Sequence, residues 1–121
     1  MTSKGKQLVK GFGFVSDAAE REYKEFSKEI LQVFGTSLRA IQEGKRPFIP
    51  TKNISESVGK GAIELIIQGS PAKRCVYVAK YENTVFVLHT FEKTTDGVDK
   101  QAMKVAKLRY KELMAELRKL K

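Results

Sequence analysis

The chain has 121 residues, 41% of them apolar, which is enough for one packed domain and too little for two. Its 23 Lys and Arg against 14 Asp and Glu leave a formal charge of +9 on 13.6 kDa, so a polyanion is the economical partner. A single Cys75 excludes an internal disulfide, one histidine leaves no ligand cluster for zinc, and no apolar run approaches the ~18 residues of a membrane span.

Segment 1–7 is polar and has no hydrophobic signal core, so the expected compartment is the cytoplasm, with no membrane partner. Residues 8–15 form a strand candidate interrupted by Gly11 and Gly13, which suits a sheet edge. A helix is expected from Asp17, placed to cap, with Glu20 reaching back to it. Ala19, Tyr23, Phe26, Ile30, Phe34, Leu38 and Ile41 recur every three or four residues, one apolar stripe that Gly35 would divide into two helices. Gly44 supplies a left-handed cap, and Pro47 and Pro50 keep the helix from continuing.

The polar stretch 51–60 reads as a loop carrying Lys52 and Lys60, and 63–68 as the next strand. After a turn at 69–73, the runs 74–81 and 84–93 form a hairpin about Glu82 and Asn83, completing a three-strand meander. With that loop, Tyr81 faces Thr84, Val76 faces His89 and Arg74 faces Phe91. Arg74, Val76 and Val78 would then share a sheet face with Val85, Val87 and His89. By alternation Cys75 is a buried thiol on the other face, and Tyr77 and Tyr81 fall on its side, Tyr81 near the wet hairpin tip. Asp99 caps a final helix whose Met103, Ala106, Tyr110, Leu113, Leu117 and Leu120 dock on the sheet. Lys100, Lys104, Lys107, Lys111 and Arg118 form a basic row on that helix. The fold class expected is α+β, a small antiparallel sheet with an N-terminal helical pair and a C-terminal helix.

No phosphate loop, dinucleotide fingerprint, nucleophile elbow or metal-binding histidine pair is present, and one histidine rules out a two-histidine ribonuclease mechanism. What remains is phosphate chemistry on a basic surface. Cleavage of RNA through its own 2′-hydroxyl needs a base, a proton donor and positive charge at the phosphorane, but no protein nucleophile and no metal. Arg74 suits the charge, because its guanidinium stays protonated and forks onto two phosphate oxygens. His89 suits proton transfer, and Lys93 adds a cation. Lys52, Lys60, Lys73, Lys100, Lys104 and Lys107 are the candidate RNA-binding lysines. Each has a bland rival: a lone strand-end histidine is often only hydrogen-bonded, and lysine rows are often only solvated.

An ordered set of residues also carries a resemblance: Glu64-Leu65, Arg74 ahead of Val76-Tyr77, Val87 to Thr94 (Val-Leu-His-Thr-Phe-Glu-Lys-Thr), then Ala106 and Arg109. This pattern resembles the HigB branch of the RelE/ParE toxin superfamily, the phage Gp49-like group of type II toxin-antitoxin systems. The resemblance implies one RelE-like domain over 1–121 with toxin activity as a metal-independent endoribonuclease. Such an mRNA interferase cuts messenger RNA on the ribosome, needs no cofactor and is silenced by a helix-turn-helix antitoxin. By position, it implies that Arg74 contacts the scissile phosphate, that Lys93 is the basic residue after the last core strand, and that His89 is the signature histidine. Ile66 and Thr94 stand where such toxins commonly carry basic residues, Asp99 where proline is usual and Ala102 where glutamate is usual. Two other readings remain open: a gyrase-poisoning toxin of the same fold, and a basic RNA-binding module that cuts nothing.

Overall fold

The computed structural model describes residues 9–120, so the polar start of the chain and Leu8 of the first expected strand lie outside the described residues. The elements in order are β1 (Gly11–Phe14), α1 (Asp17–Lys24), α2 (Lys28–Gln42), β2 (Thr51–Asn53), β3 (Ala62–Ile67), β4 (Ala72–Tyr81), β5 (Thr84–Lys93) and α3 (Lys100–Arg118). The architecture is α+β, as expected, around one sheet of order β1-β5-β4-β3-β2. Two edges of that sheet differ from expectation. β1 lies parallel to β5, so the sheet is mixed, and β2 is a short edge strand where the sequence read as loop.

Local chemistry sets the helix boundaries. Ser16, rather than Asp17, caps α1 by accepting from the Ala19 amide, and Glu20 pairs with Lys24 at 2.6 Å instead of reaching back. The break between helices falls where Ser27 caps α2 by accepting from the Ile30 amide, which leaves Gly35 inside α2. The apolar stripe persists across that break because Tyr23 of α1 and Ile30 of α2 both pack against the cluster around Phe34 and Leu38. Gly44 ends α2 at φ 77°, and the Lys45 amide donates back to the Ala40 carbonyl. Asp99 caps α3 by accepting from the Ala102 amide at 3.0 Å, as the sequence indicated.

A core lies on each face of the sheet. Phe34, Leu38 and Ile41 of α2 pack on Leu65, Cys75, Tyr77, Val85 and Val87. Ala106, Tyr110 and Leu113 of α3 pack on Ile54, Val58, Ala62, Val76, Val78 and Leu88. Each fully buried Val, Leu or Phe side chain is worth about 1.5–3 kcal/mol, so the strands covered on both sides, β4 and β5, anchor the fold. Gly59 belongs to the second core for a steric reason: its φ is +155°, and a Cβ there would lie 2.4 Å from the Tyr110 ring.

The hairpin register holds at three expected pairs, Arg74 with Phe91, Val76 with His89 and Tyr81 with Thr84. Glu82 and Asn83 both take positive φ, at 51° and 48°, which is the conformation a two-residue hairpin loop needs. Between the matching pairs the register shifts twice. Next to Val76, Leu88 is an extra residue, so Val85 and Val87 face α2 while Val76, Leu88 and His89 lie on the α3 side. The expected face-sharing of Val85 and Val87 with Arg74 is therefore incorrect. The second shift likewise moves Tyr81 away from Cys75, and its hydroxyl meets that of Tyr110 at 3.1 Å.

Candidate functional site

β3, β4 and β5 end beside the start of α3, and a cleft of about 370 Å³ opens there. Lys52, Asn53, Ile54, Glu56, Glu64, Arg74, Lys93, Val98, Asp99 and Met103 are among its lining residues. Arg74 sits deep in the wall, its side chain 14% exposed, and donates from one terminal nitrogen to Glu64 Oε1 at 2.9 Å. Glu64 itself is 3% exposed. Burying that carboxylate unpaired would cost several kcal/mol, so the pair fixes the guanidinium in place. Among the described residues Arg74 Nε is buried with no hydrogen-bond partner, a donor left free for an anion in the cleft.

Lys93 reaches the same cleft from the end of β5, with Nζ donating to the Thr95 carbonyl at 2.6 Å. Lys52, exposed on β2, stands opposite Glu64 in the ladder. Arg74 and Lys93 also line a second groove of about 490 Å³, formed with the β3–β4 turn and residues 94–96. Two clefts thus meet over one pair of cations.

The other sequence candidates lie elsewhere. His89 is 8% exposed and does not line the cleft, although its ring stacks on that of Phe91, the strand partner of Arg74, at 4.9 Å. Its Nδ1 meets Glu22 Oε1 at 2.9 Å. Arg109 of α3 forks onto the same carboxylate at 2.8 and 2.9 Å and donates to the Leu88 carbonyl at 3.0 Å. The extra residue in β5 is therefore held by an ion-pair cluster joining α1, β5 and α3. Burial holds the His89 imidazole below its ordinary value, against the upward pull of Glu22. In Glu22 burial pushes the carboxyl upward, but Arg109 and His89 outweigh it and the net shift is down.

Lys60 is exposed before β3, where its carbonyl accepts from the Tyr110 hydroxyl. Lys73 donates to the Pro71 carbonyl, and Lys100, Lys104 and Lys107 are exposed along α3. None of these five lines the Arg74 cleft. Cys75 is buried, as expected, and burial pushes its thiol up to about 12.

Glu64 and Arg109 enter the sequence reading only through the resemblance and Glu22 not at all, yet the structural role of each had left a signal. Glu64 interrupts the apolar run Ile63 to Ile67, Glu22 falls three residues after Ala19 on the α1 stripe, and Arg109 three after Ala106 on the α3 stripe. A charge on a buried face calls for a partner.

The family described as Phage derived protein Gp49-like matches residues 21–111, three-quarters of the chain, including every strand of the cleft. The chain belongs to that family. The match spans the ordered residues from Glu64 to Arg109 that carried the resemblance. No curated protein matches this Gp49-like chain. Among solved structures, a chain in the crystal structure of the toxin-antitoxin complex RelBE2 from Mycobacterium tuberculosis is similar at 16% identity. The match covers 73% of this chain and 95% of that one, with a TM-score of 0.41. Among the described residues, no helix is long and apolar enough to cross a membrane.

Proposed function

We propose that this Gp49-like protein is the toxin of a toxin-antitoxin system and acts as a metal-independent endoribonuclease on messenger RNA. One observation carries the reading: Arg74, Lys93 and Lys52 converge on a single cleft, with Arg74 fixed by a buried carboxylate. Family membership supports it. Fixed cations serve where charge develops, and cleavage by the RNA 2′-hydroxyl concentrates negative charge on the phosphorane oxygens. Arg74 meets those oxygens, Lys93 and Lys52 hold the flanking phosphates, and Glu64 keeps the guanidinium in position, while solvent in the open cleft takes the 2′-hydroxyl proton and returns one to the leaving 5′-oxygen. His89 is a positioning residue, holding β5 against α1 and α3 so that Lys93 enters the cleft. The exposed lysines of α3, with Lys60 and Lys73, extend the positive field toward a large polyanion such as the ribosome. A cognate antitoxin would silence the toxin.

The test is expression in a bacterium lacking any cognate antitoxin, followed by primer extension on the messages. Growth arrest with discrete cuts in messenger RNA is the expected outcome. Arrest with intact messages and broken DNA would contradict the reading and favour gyrase poisoning.

A further inference from the structure

Building on the RNA-cleaving reading of the Arg74 cleft, we propose that the loop joining α2 to β2 is a second contact for the same single strand, a stacking platform at Phe48 outside the cleft. Phe48 is 71% exposed, the most exposed large apolar side chain among the described residues. One exposed apolar residue is ordinary by itself, but this one is held by its backbone. Its amide donates to Ser37 Oγ at 3.0 Å, and that serine is fully buried in α2. Pro47 and Pro50 fix φ on either side, and Ile49 packs into the core beneath α2. The ring is therefore displayed with little further ordering to be done on binding. It forms one wall of an open groove of about 510 Å³ along the exposed side of α2.

Charge selects the occupant. Arg39 and Lys45 both reach Glu43, at 2.9 and 3.3 Å, and Arg46 is exposed with no ion pair among the described residues. Three cations thus share one carboxylate around an aromatic face, the combination that tracks a phosphate backbone while one base stacks, whatever its identity. An amphipathic helix of a protein partner would need apolar anchors at successive turns, and the groove offers one large apolar side chain, Phe48. Position ties this platform to the cleft. The Pro50 carbonyl accepts from the Ile66 amide at 2.9 Å, and Ile66 is the strand partner of Arg74, so Pro50 and Arg74 lie two strand spacings apart, about 10 Å. Phe48 is two residues from Pro50, at most about 7 Å further. At about 3.4 Å per nucleotide of stacked strand, about five nucleotides cross that gap.

The experiment measures equilibrium binding of fluorescent single-stranded RNAs of about three and about twelve nucleotides at one salt concentration, lengths set on either side of that five-nucleotide gap. Circular dichroism is the folding control. Phe48→Ala should weaken binding of the longer RNA about tenfold, within the range for one stacked base, and leave the shorter one unchanged. Phe48→Leu keeps an apolar side chain without a ring and should lose nearly as much, whereas Phe48→Trp should bind as wild type does. The chain has no tryptophan of its own, so Phe48→Trp also gives a fluorescence signal that the longer RNA should quench. Wild-type affinity for the longer RNA in a folded Phe48→Ala protein would overturn the platform. Full retention by Phe48→Leu would also overturn it and assign the groove to apolar contact with a protein partner. In both cases RNA binding weakened by Arg74→Ala would leave the cleft reading standing. Absence of binding to either RNA by wild type would overturn both.

Discussion

Arg109 shows how much of this protein depends on single charges placed where the sequence is otherwise apolar. Its fork onto Glu22 and its bond to the Leu88 carbonyl tie α3 to α1 and to the irregular point of β5. Arg109→Met keeps the length of the side chain and removes every donor. It should cost about 1.5–3 kcal/mol, the range for hydrogen bonds to charged groups, read as a lower urea midpoint with unchanged slope. The same cluster sets a pH dependence. Both His89 and Glu22 hold their protons less tightly when folded than at their ordinary values of 6.5 and 4.5. The unfolded chain therefore binds more protons in both windows, so stability is lost as pH falls, first below about 6.5 and again below about 4.5. His89→Gln should flatten the upper window and leave the lower one. An unchanged midpoint from pH 7 to pH 5 in the wild type would contradict the burial of His89.

At the scale of elements, α2 offers a paired test of where the helical region breaks. Ser27 caps the helix, so Ser27→Ala should cost about 1 kcal/mol. Gly35 is mid-helix, and a Cβ there meets nothing closer than the Tyr23 hydroxyl at 3.8 Å, so Gly35→Ala should add roughly 0.5–1 kcal/mol in thermal or urea unfolding. Destabilisation by Gly35→Ala would show that the glycine is needed after all. The contrast also explains what was legible beforehand. Apolar spacing and the Glu82-Asn83 turn located α2, α3, β4 and β5 because each buries a periodic face large enough to dominate its local sequence. β2 was not legible, since Thr51, Lys52 and Asn53 are all exposed and owe their strand to backbone pairing with β3 alone. The parallel pairing of β1 was equally invisible, because alternation reports a face and not a direction. Arg74 and Lys93 could be placed at one end of the hairpin from register. The extra residue at Leu88 could not, and it turned two expected face assignments over.

At the scale of the whole molecule, the charge of +9 surrounds a cleft in which one cation is already paired. Polyanion binding should therefore come largely from the exposed lysines and fall with salt, by about 0.7 in log-log slope for each phosphate neutralised on a single strand. A titration from low to high salt reads that number, and a flat response would remove the positive field from the account. On the proposed function, cleavage should separate from this bulk attraction, because it is assigned to Arg74 at one fixed position. The most direct measurement is single-turnover cleavage of messenger RNA on programmed ribosomes by wild type and Arg74→Ala, with circular dichroism as the folding control. Removing a preorganised charge donor costs about 10²–10³ in rate, so Arg74→Ala should lose at least about a hundredfold. Because the substitution leaves buried Glu64 unpaired, Glu64→Gln, Arg74→Met serves as a second well-packed variant and should lose as much. Full cleavage by either variant in folded form would contradict the assignment of this cleft as the RNA-cleaving site.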